Sequence, residues 1–315
     1  METQTFSLRS LAQERQMSTT KQTFEQGLMS SLNLTKVGAP LFVSRDSGLN
    51  DNLNGVEQPV TFKLQQRSYE IVHSLAKWKR WYLGELQAKK GEGIVTDMKA
   101  IRADETLSDI HSNLVDQWDW EKVISKSERT IDTLIHHGKL IYNVLIDTHQ
   151  SIYNQESDLP KDITIVYTED LLQAYPTLSA KEREHTITKI HGAVLLIGIG
   201  GALSNGQLHD LRAPDYDDWT TEHIKGKYGL NADILVWDTT RNKSLELSSM
   251  GIRVDEVALE KQLKLKGLSE ADLKPYHKAI LDQSLPYTIG GGIGQSRVLM
   301  FLNGISDIKM VQPIY

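Results

Sequence analysis

No cysteine occurs among the 315 residues. That absence removes disulfides, thiolate-held zinc, cysteine-held iron–sulfur clusters and any mechanism built on a thiol nucleophile. Ten histidines are present, but never in the spacing H-E-x-x-H, so a zinc pair on one helix is not expected. No segment approaches the roughly 18 consecutive apolar residues of a membrane-spanning helix. The start Met1-Glu2-Thr3-Gln4-Thr5 has neither the basic region nor the apolar run of a secretory signal. The expectation is a cytoplasmic protein with no membrane association. Lysine and arginine form no block, and the formal net charge of −6 argues against the basic face that nucleic acid requires.

What is present suits a folded catalytic domain. Hydrophobic residues at 39% can fill a substantial core, and the length allows one large domain or two ordinary ones. No internal repeat, low-complexity tract or long linker interrupts the chain, which favours a single domain over 1–315. Phe24, Leu28 and Leu32 recur every fourth residue and predict a helix over 18–34. Val37 to Ser44 reads as a strand that Pro40 confines to an edge or an end. Short strands are expected at 70–72, 94–96 and 162–168, and one or two helices at 123–150. Ser179-Ala180-Lys181-Glu182 is a capping box opening a helix that Gly192 would close. Ala193 to Gly200 reads as a buried strand. Residues 233–237 and 245–248 flank a turn and read as a hairpin, and helices follow at 255–265 and 269–282. Strands arriving in hairpin-like pairs predict an α+β fold, a mainly antiparallel sheet flanked by helices.

Three clusters stand out chemically. Gly290, Gly291, Gly292 and Gly294 lie in one short segment, where glycine costs stability. They suit a strand that passes close to a ligand and then opens a helix, with Arg297 one turn in and able to meet a phosphate. A plain strand-to-helix turn explains the pattern equally well. The segment lacks the Lys-Ser or Lys-Thr of a Walker loop and the spacing of a dinucleotide fingerprint. Arg102, before a polar loop, faces the alternating stretch Asp116-Gln117-Trp118-Asp119-Trp120-Glu121, which reads as a strand with one functional face. The third cluster is Arg212-Ala213-Pro214-Asp215-Tyr216-Asp217-Asp218-Trp219, with Asp233 and Glu246 on facing strands. Carboxylates so placed suit magnesium on nucleotide phosphates, although a solvated acidic loop is the ordinary reading of 215–218.

Longer strings carry a family resemblance. Val72-His73-Ser74-Leu75-Ala76-Lys77-Trp78-Lys79-Arg80, Val115 to Glu121, Arg212 to Trp219, Glu246-Leu247-Ser248-Ser249-Met250-Gly251-Ile252-Arg253 and residues 289–297 resemble the ammonia-dependent asparagine synthetases. These are aspartate–ammonia ligases built on the class II aminoacyl-tRNA synthetase catalytic fold, and the resemblance runs from about residue 20 to 313. It implies asparagine synthesis from aspartate, ammonia and ATP with Mg2+, through a β-aspartyl-adenylate. Residues 1–17 would be an N-terminal extension. The resemblance assigns Arg102, Arg297 and Gln117 to catalysis. It places Asp51, Ser74, Lys79, Gln117, Asp119, Arg212 and Asp217 around aspartate. Arg102, Asp104, Glu105, Ser249, Gly292, Gly294 and Arg297 would meet the nucleotide, and Asp233 and Glu246 the metal. The class pattern places one acid two residues after the arginine, and both Asp104 and Glu105 stay candidates. Residues 18–40, ending at Pro40, resemble the segment that pairs two such domains, which implies a homodimer. An aspartyl-tRNA synthetase or a catalytically silent amino-acid sensor are the rival readings.

Overall fold

The structure is a computed structural model, and it describes residues 9–51, 53 and 57–313. Ser10 caps the first helix, α1 (Leu11–Leu32), through a reciprocal bond pair with Gln13. Its buried face is Met17, Thr20, Phe24, Leu28 and Leu32. The helix therefore begins seven residues before the expected start. Met17 packs with Leu299, Met300, Ile308 and Val311, so 11–17 belong to the packed domain and are no extension. The remainder of that expected extension, 1–8, lies outside the described residues.

After α1 come β1 (Leu34–Lys36), β2 (Phe42–Ser44), β3 (Thr61–Leu64) and β4 (Arg67–Ile71). Of the expected strand at 37–44 only β2 is strand; β1 ends before it at Lys36, and Pro40, whose ring removes a ladder donor, lies in the gap between them. α2 (Ala76–Glu85) leads to the long antiparallel pair β5 (Gly93–Ile101) and β6 (Leu114–Val123). α3 (Ile131–Tyr153) is one continuous helix. Next are β7 (Thr164–Tyr167), α4 (Thr168–Ala174), α5 (Ala180–His191) and β8 (Ala193–Ile197). β9 (Glu222–Ile224) and β10 (Lys227–Tyr228) form a small ribbon. The hairpin β11 (Asn231–Asp238) and β12 (Lys243–Ile252), α6 (Glu256–Leu265), α7 (Pro275–Leu281), β13 (Thr288–Gly294) and α8 (Gln295–Asn303) complete the chain.

Eight strands form the main sheet in the order β1-β5-β6-β13-β12-β11-β8-β7. All neighbours are antiparallel except β1 with β5 and β7 with β8. Side-chain alternation gives the sheet two unlike faces. On β6, Trp118 and Trp120 turn to a core that includes Phe24, Leu28, Leu134, Ile141 and Val298 from α1, α3 and α8. Phe24 stacks on Trp118 with centroids 4.5 Å apart. Gln117, Asp119 and Glu121 turn to the opposite face, where α2 and α5 stand apart and leave a cavity over the middle strands. No helix among the described residues is long and apolar enough to cross a membrane.

Candidate active site

The cavity measures about 440 Å³ and opens on the polar face of the sheet. Arg102 enters it from the end of β5, fixed by a backbone bond from its own N–H to Asn113 O. Its Nη2 donates weakly to His73 O at 3.5 Å, and its buried Nε has no partner among the described residues. Arg297 enters from the first turn of α8 and donates to Glu246 O at 3.0 Å. Glu105 lies 4.0 Å from Arg102 and lines the cavity, whereas Asp104 turns away and accepts from Gln58 N at 3.0 Å. The geometry thus separates the two acids: Glu105 takes the place beside the arginine, contrary to the expectation for Asp104.

The glycine-rich segment is a strand interior, flanked by β6 and β12. A Cβ on Gly292 would stand 2.6 Å from Gln117 Oε1, so the bare backbone leaves room for that side chain to lie over β13. Gly292, Gly294 and Gln117 all line the cavity, with Ser249 facing from β12.

Acidic groups form another part of the wall. Asp51 accepts from Leu53 N at 2.8 Å and from the Ser74 hydroxyl at 2.8 Å. Asp119 accepts from Leu75 N at 3.1 Å and from Lys79 Nζ. Lys79 itself is fully buried and does not reach the cavity. Its other donors go to Trp120 O at 2.9 Å and Gly291 O at 3.1 Å. The expected contact between Lys79 and a substrate carboxylate is therefore not what the geometry provides; Lys79 stands beneath the floor and holds Asp119 and the glycine strand. Burial lowers its proton affinity, opposed by Asp119 and Glu121. Asp217 accepts from Arg253 Nη1, and Arg253 grips Glu121 with its Nη2 at 2.7 Å. Burial raises the Asp217 carboxyl above its ordinary range, with Arg253 and Arg212 opposing.

Arg212 lines the cavity but is partly committed. Its Nη2 donates to both oxygens of Asp233 at 2.8 Å and to the Ser249 hydroxyl at 3.2 Å, while its buried Nε is unpartnered among the described residues. Asp233 is consequently set back behind Arg212, and only Glu246 of the expected metal pair reaches the wall. Burial drives Asp233 up to about 7, Arg212 opposes, and the Glu246 charge adds to the rise. For Glu246, about a third exposed, burial acts upward as well. Arg297, Lys181, Arg212 and Arg102 outweigh it and hold the group below its usual value.

Several wall residues carried no sequence-based role. Lys181 was visible only as part of a capping box. Tyr216 sat inside an acidic string, and His111 in a polar loop. Arg253 had a legible signal, an arginine between Ile252 and Val254 in a buried stretch, which needs an acidic partner.

Solved structures identify the fold. The asparaginyl-tRNA synthetase of Pyrococcus horikoshii, complexed with asparaginyl-adenylate, matches with a TM-score of 0.70 at 12% identity, over 96% of this chain and 68% of that one. The Entamoeba histolytica asparaginyl-tRNA synthetase in complex with asparaginyl-adenylate gives 0.67 at 13% identity, over 96% of this chain and 66% of that one. The chain has the class II aminoacyl-tRNA synthetase catalytic fold. A family profile described as aspartate-ammonia ligase matches residues 11–314. The aspartate–ammonia ligase of Parabacteroides distasonis is 51% identical over 299 residues, 93% of this chain and 87% of the relative. That of Clostridium perfringens is 50% identical over 299 residues, 93% of this chain and 86% of the relative. The chain belongs to the aspartate–ammonia ligase family, ligases that form a carbon–nitrogen bond.

Proposed function

We propose that this chain makes asparagine from aspartate, ATP and free ammonia in two steps inside the one cavity. The aspartate side-chain carboxylate attacks the α-phosphorus of ATP, giving β-aspartyl-adenylate and pyrophosphate. Ammonia then attacks the activated carbonyl and expels AMP. The observation that carries this reading is the meeting of unlike groups on one wall system. Arg102 and Arg297, each giving a single side-chain hydrogen bond to the protein among the described residues, adjoin a pocket of Asp51, Ser74, Gln117, Asp119, Arg212 and Asp217.

Both reactants of the first step are anions, so fixed positive charge must offset their repulsion where charge develops. Arg102 and Arg297 supply it without reorganising. Gln117 orients the reacting carboxylate, Asp51 with Ser74 receives the α-ammonium, and the Arg212 guanidinium on the cavity wall faces a carboxylate. Glu105, Ser249, Gly292 and Gly294 border the nucleotide. Glu246, backed by Asp233, would hold magnesium. Burial raises Asp233, whereas Arg297, Lys181, Arg212 and Arg102 hold Glu246 low, so Glu246 is an ionised oxygen ligand at the wall suited to a dication, and no cluster of three or more ligating groups is found among the described residues. Magnesium commonly takes its remaining ligands from phosphate and water, and it would add positive charge to the triphosphate. Free ammonia is the expected donor, since glutamine-splitting partners of this chemistry use a cysteine and none exists here.

The test follows the products. Aspartate, ATP, magnesium and ammonium should yield asparagine, AMP and pyrophosphate in equal amounts, with glutamine inert. Without ammonium, aspartate should still drive exchange of labelled pyrophosphate into ATP. Formation of ADP and phosphate would overturn the adenylate.

A further inference from the structure

We infer that Asp217 Oδ2 is the ammonium subsite, the oxygen that takes a proton from ammonium and releases neutral ammonia beside the activated carbonyl. This rests on the two-step reading above.

Ammonium has no lone pair and cannot attack carbon, so an enzyme using it near neutral pH needs a proton acceptor close to the acyl group. Four other aspartates border the cavity, and bonds to their oxygens favour the ionised form and make them poorer proton acceptors; Asp210 accepts from Leu211 N and stands 3.7 Å from Lys181. Asp51 accepts from Leu53 N and the Ser74 hydroxyl, and Asp119 from Leu75 N and Lys79. Asp116 accepts from Ser296 N and Lys21. Asp217 is only 2% exposed, lines the cavity and spends Oδ1 on Arg253. Its Oδ2 has no donor among the described residues. Gly251 lies against the carboxylate, where a Cβ would approach Oδ1 to 2.5 Å, so the backbone makes room for it.

The surroundings suit an acceptor that must take and return a proton. Arg253, next after β12, and Arg212 favour the carboxylate form, while the charge of Glu121 on β6 opposes it and Tyr216 adjoins it in the chain. Burial raises its proton affinity toward that of a useful base. Glu57 also has an unpartnered oxygen, but it lies near His73 and Arg102, on the nucleotide side. In the transfer, one N–H bond of ammonium breaks and an O–H bond forms at Oδ2. The nitrogen lone pair then forms the C–N bond as the C–O bond to AMP breaks, with that electron pair leaving on the phosphate oxygen. The surplus proton on nitrogen and the one on Asp217 pass to solvent.

Hydroxylamine separates this role from aspartate binding, because it is uncharged near neutral pH and needs no prior deprotonation. Asp217→Asn keeps an oxygen for Arg253 but loses the acceptor. We expect ammonium-dependent turnover to fall about 100-fold further than hydroxylamine-dependent turnover to the hydroxamate. Both rates come from one preparation, so the ratio does not depend on the folded fraction. Equal losses, including loss of both, would overturn the inference and leave Asp217 to aspartate or the fold. Aspartate-dependent pyrophosphate exchange by the unaltered enzyme reports separately on the adenylate.

Discussion

A guanidinium that has spent all its donors on the protein cannot seize a phosphate, and the arginines here differ in that respect. Arg253 is consumed by Glu121 and Asp217, and Arg80 donates to Pro286 O and Val254 O. The Arg102 and Arg297 guanidiniums make only two contacts each among the described residues, one hydrogen bond and one long ion pair, and face the cavity. Arg102→Ala and Arg297→Ala should each lose on the order of 10²–10³ in turnover while melting near the parent temperature. Near-parental rates in both would detach them from the reaction. Lys79 behaves oppositely. Removing its charge in Lys79→Met leaves Asp119 buried against Glu121 without a cation, which should cost roughly 3–5 kcal/mol in urea unfolding; an unchanged midpoint would show that the pair contributes nothing. Sequence alone gave the residue types at this site but not their commitments. Gln117 and Asp119 were legible because a strand alternates, whereas the fully buried position of Lys79 depends on how α2 lies on β6 and β13. Asp104 and Glu105 differ only in which way the loop turns after β5, which no local pattern states.

Elements defined by local rules were the most legible. The capping box at Ser179 and the close at Gly192 appear in the structure as expected, and so does the hairpin, with its turn at 239–242 and Lys243 already paired with Asp238. Harder to read was the parallel pairing of β7 with β8, because its partners meet only after α4 and α5 have crossed over. The small ribbon of β9 and β10 and the strand β3 carried too little alternation to be seen. At 289–294 the sequence offered a ligand approach and a plain turn with equal weight, and the structure adds a third cause. The glycines admit side chains from β6, with Gln117 over Gly292 and Glu121 over Gly290. A methyl at 292 must move either the Gln117 amide or the strand. Displacement near 1 Å in a reacting site costs about 100-fold, so Gly292→Ala should lose about that factor in turnover while its far-ultraviolet circular dichroism stays parental. Full activity would mean that the Gln117 side chain has no part in the reaction.

At the scale of the whole molecule, two expectations concern assembly and acid. The α1–β1 segment lies at one edge of the sheet, β1 pairs among the described residues only with β5, and Leu41 and Phe42 beyond Pro40 stay exposed. A second copy meeting that edge would give the two-fold dimer we propose, and light scattering of an active monomer at assay dilution would contradict it. The acid limb follows from the buried ion pairs that tie the cavity floor to the helices. Glu121 lies below its usual 4.5: burial acts to raise it, and Arg253 and Lys79 prevail. Asp215, against Lys77 and His277, lies well below its usual 3.8 for the same balance of causes. A depressed carboxyl contributes its full stabilisation above the unfolded value and loses it as pH falls toward the folded value. Melting temperature should therefore hold down to about pH 4.5 and then drop steeply with further acid. Glu121→Gln removes one of these groups, so it should be less stable near neutrality, by roughly 3–5 kcal/mol for a broken buried pair. Its decline in acid should also be shallower, since glutamine has no proton to take up, and the two curves should converge at low pH. Parallel curves would place the acid sensitivity elsewhere than in the Glu121–Arg253–Lys79 cluster.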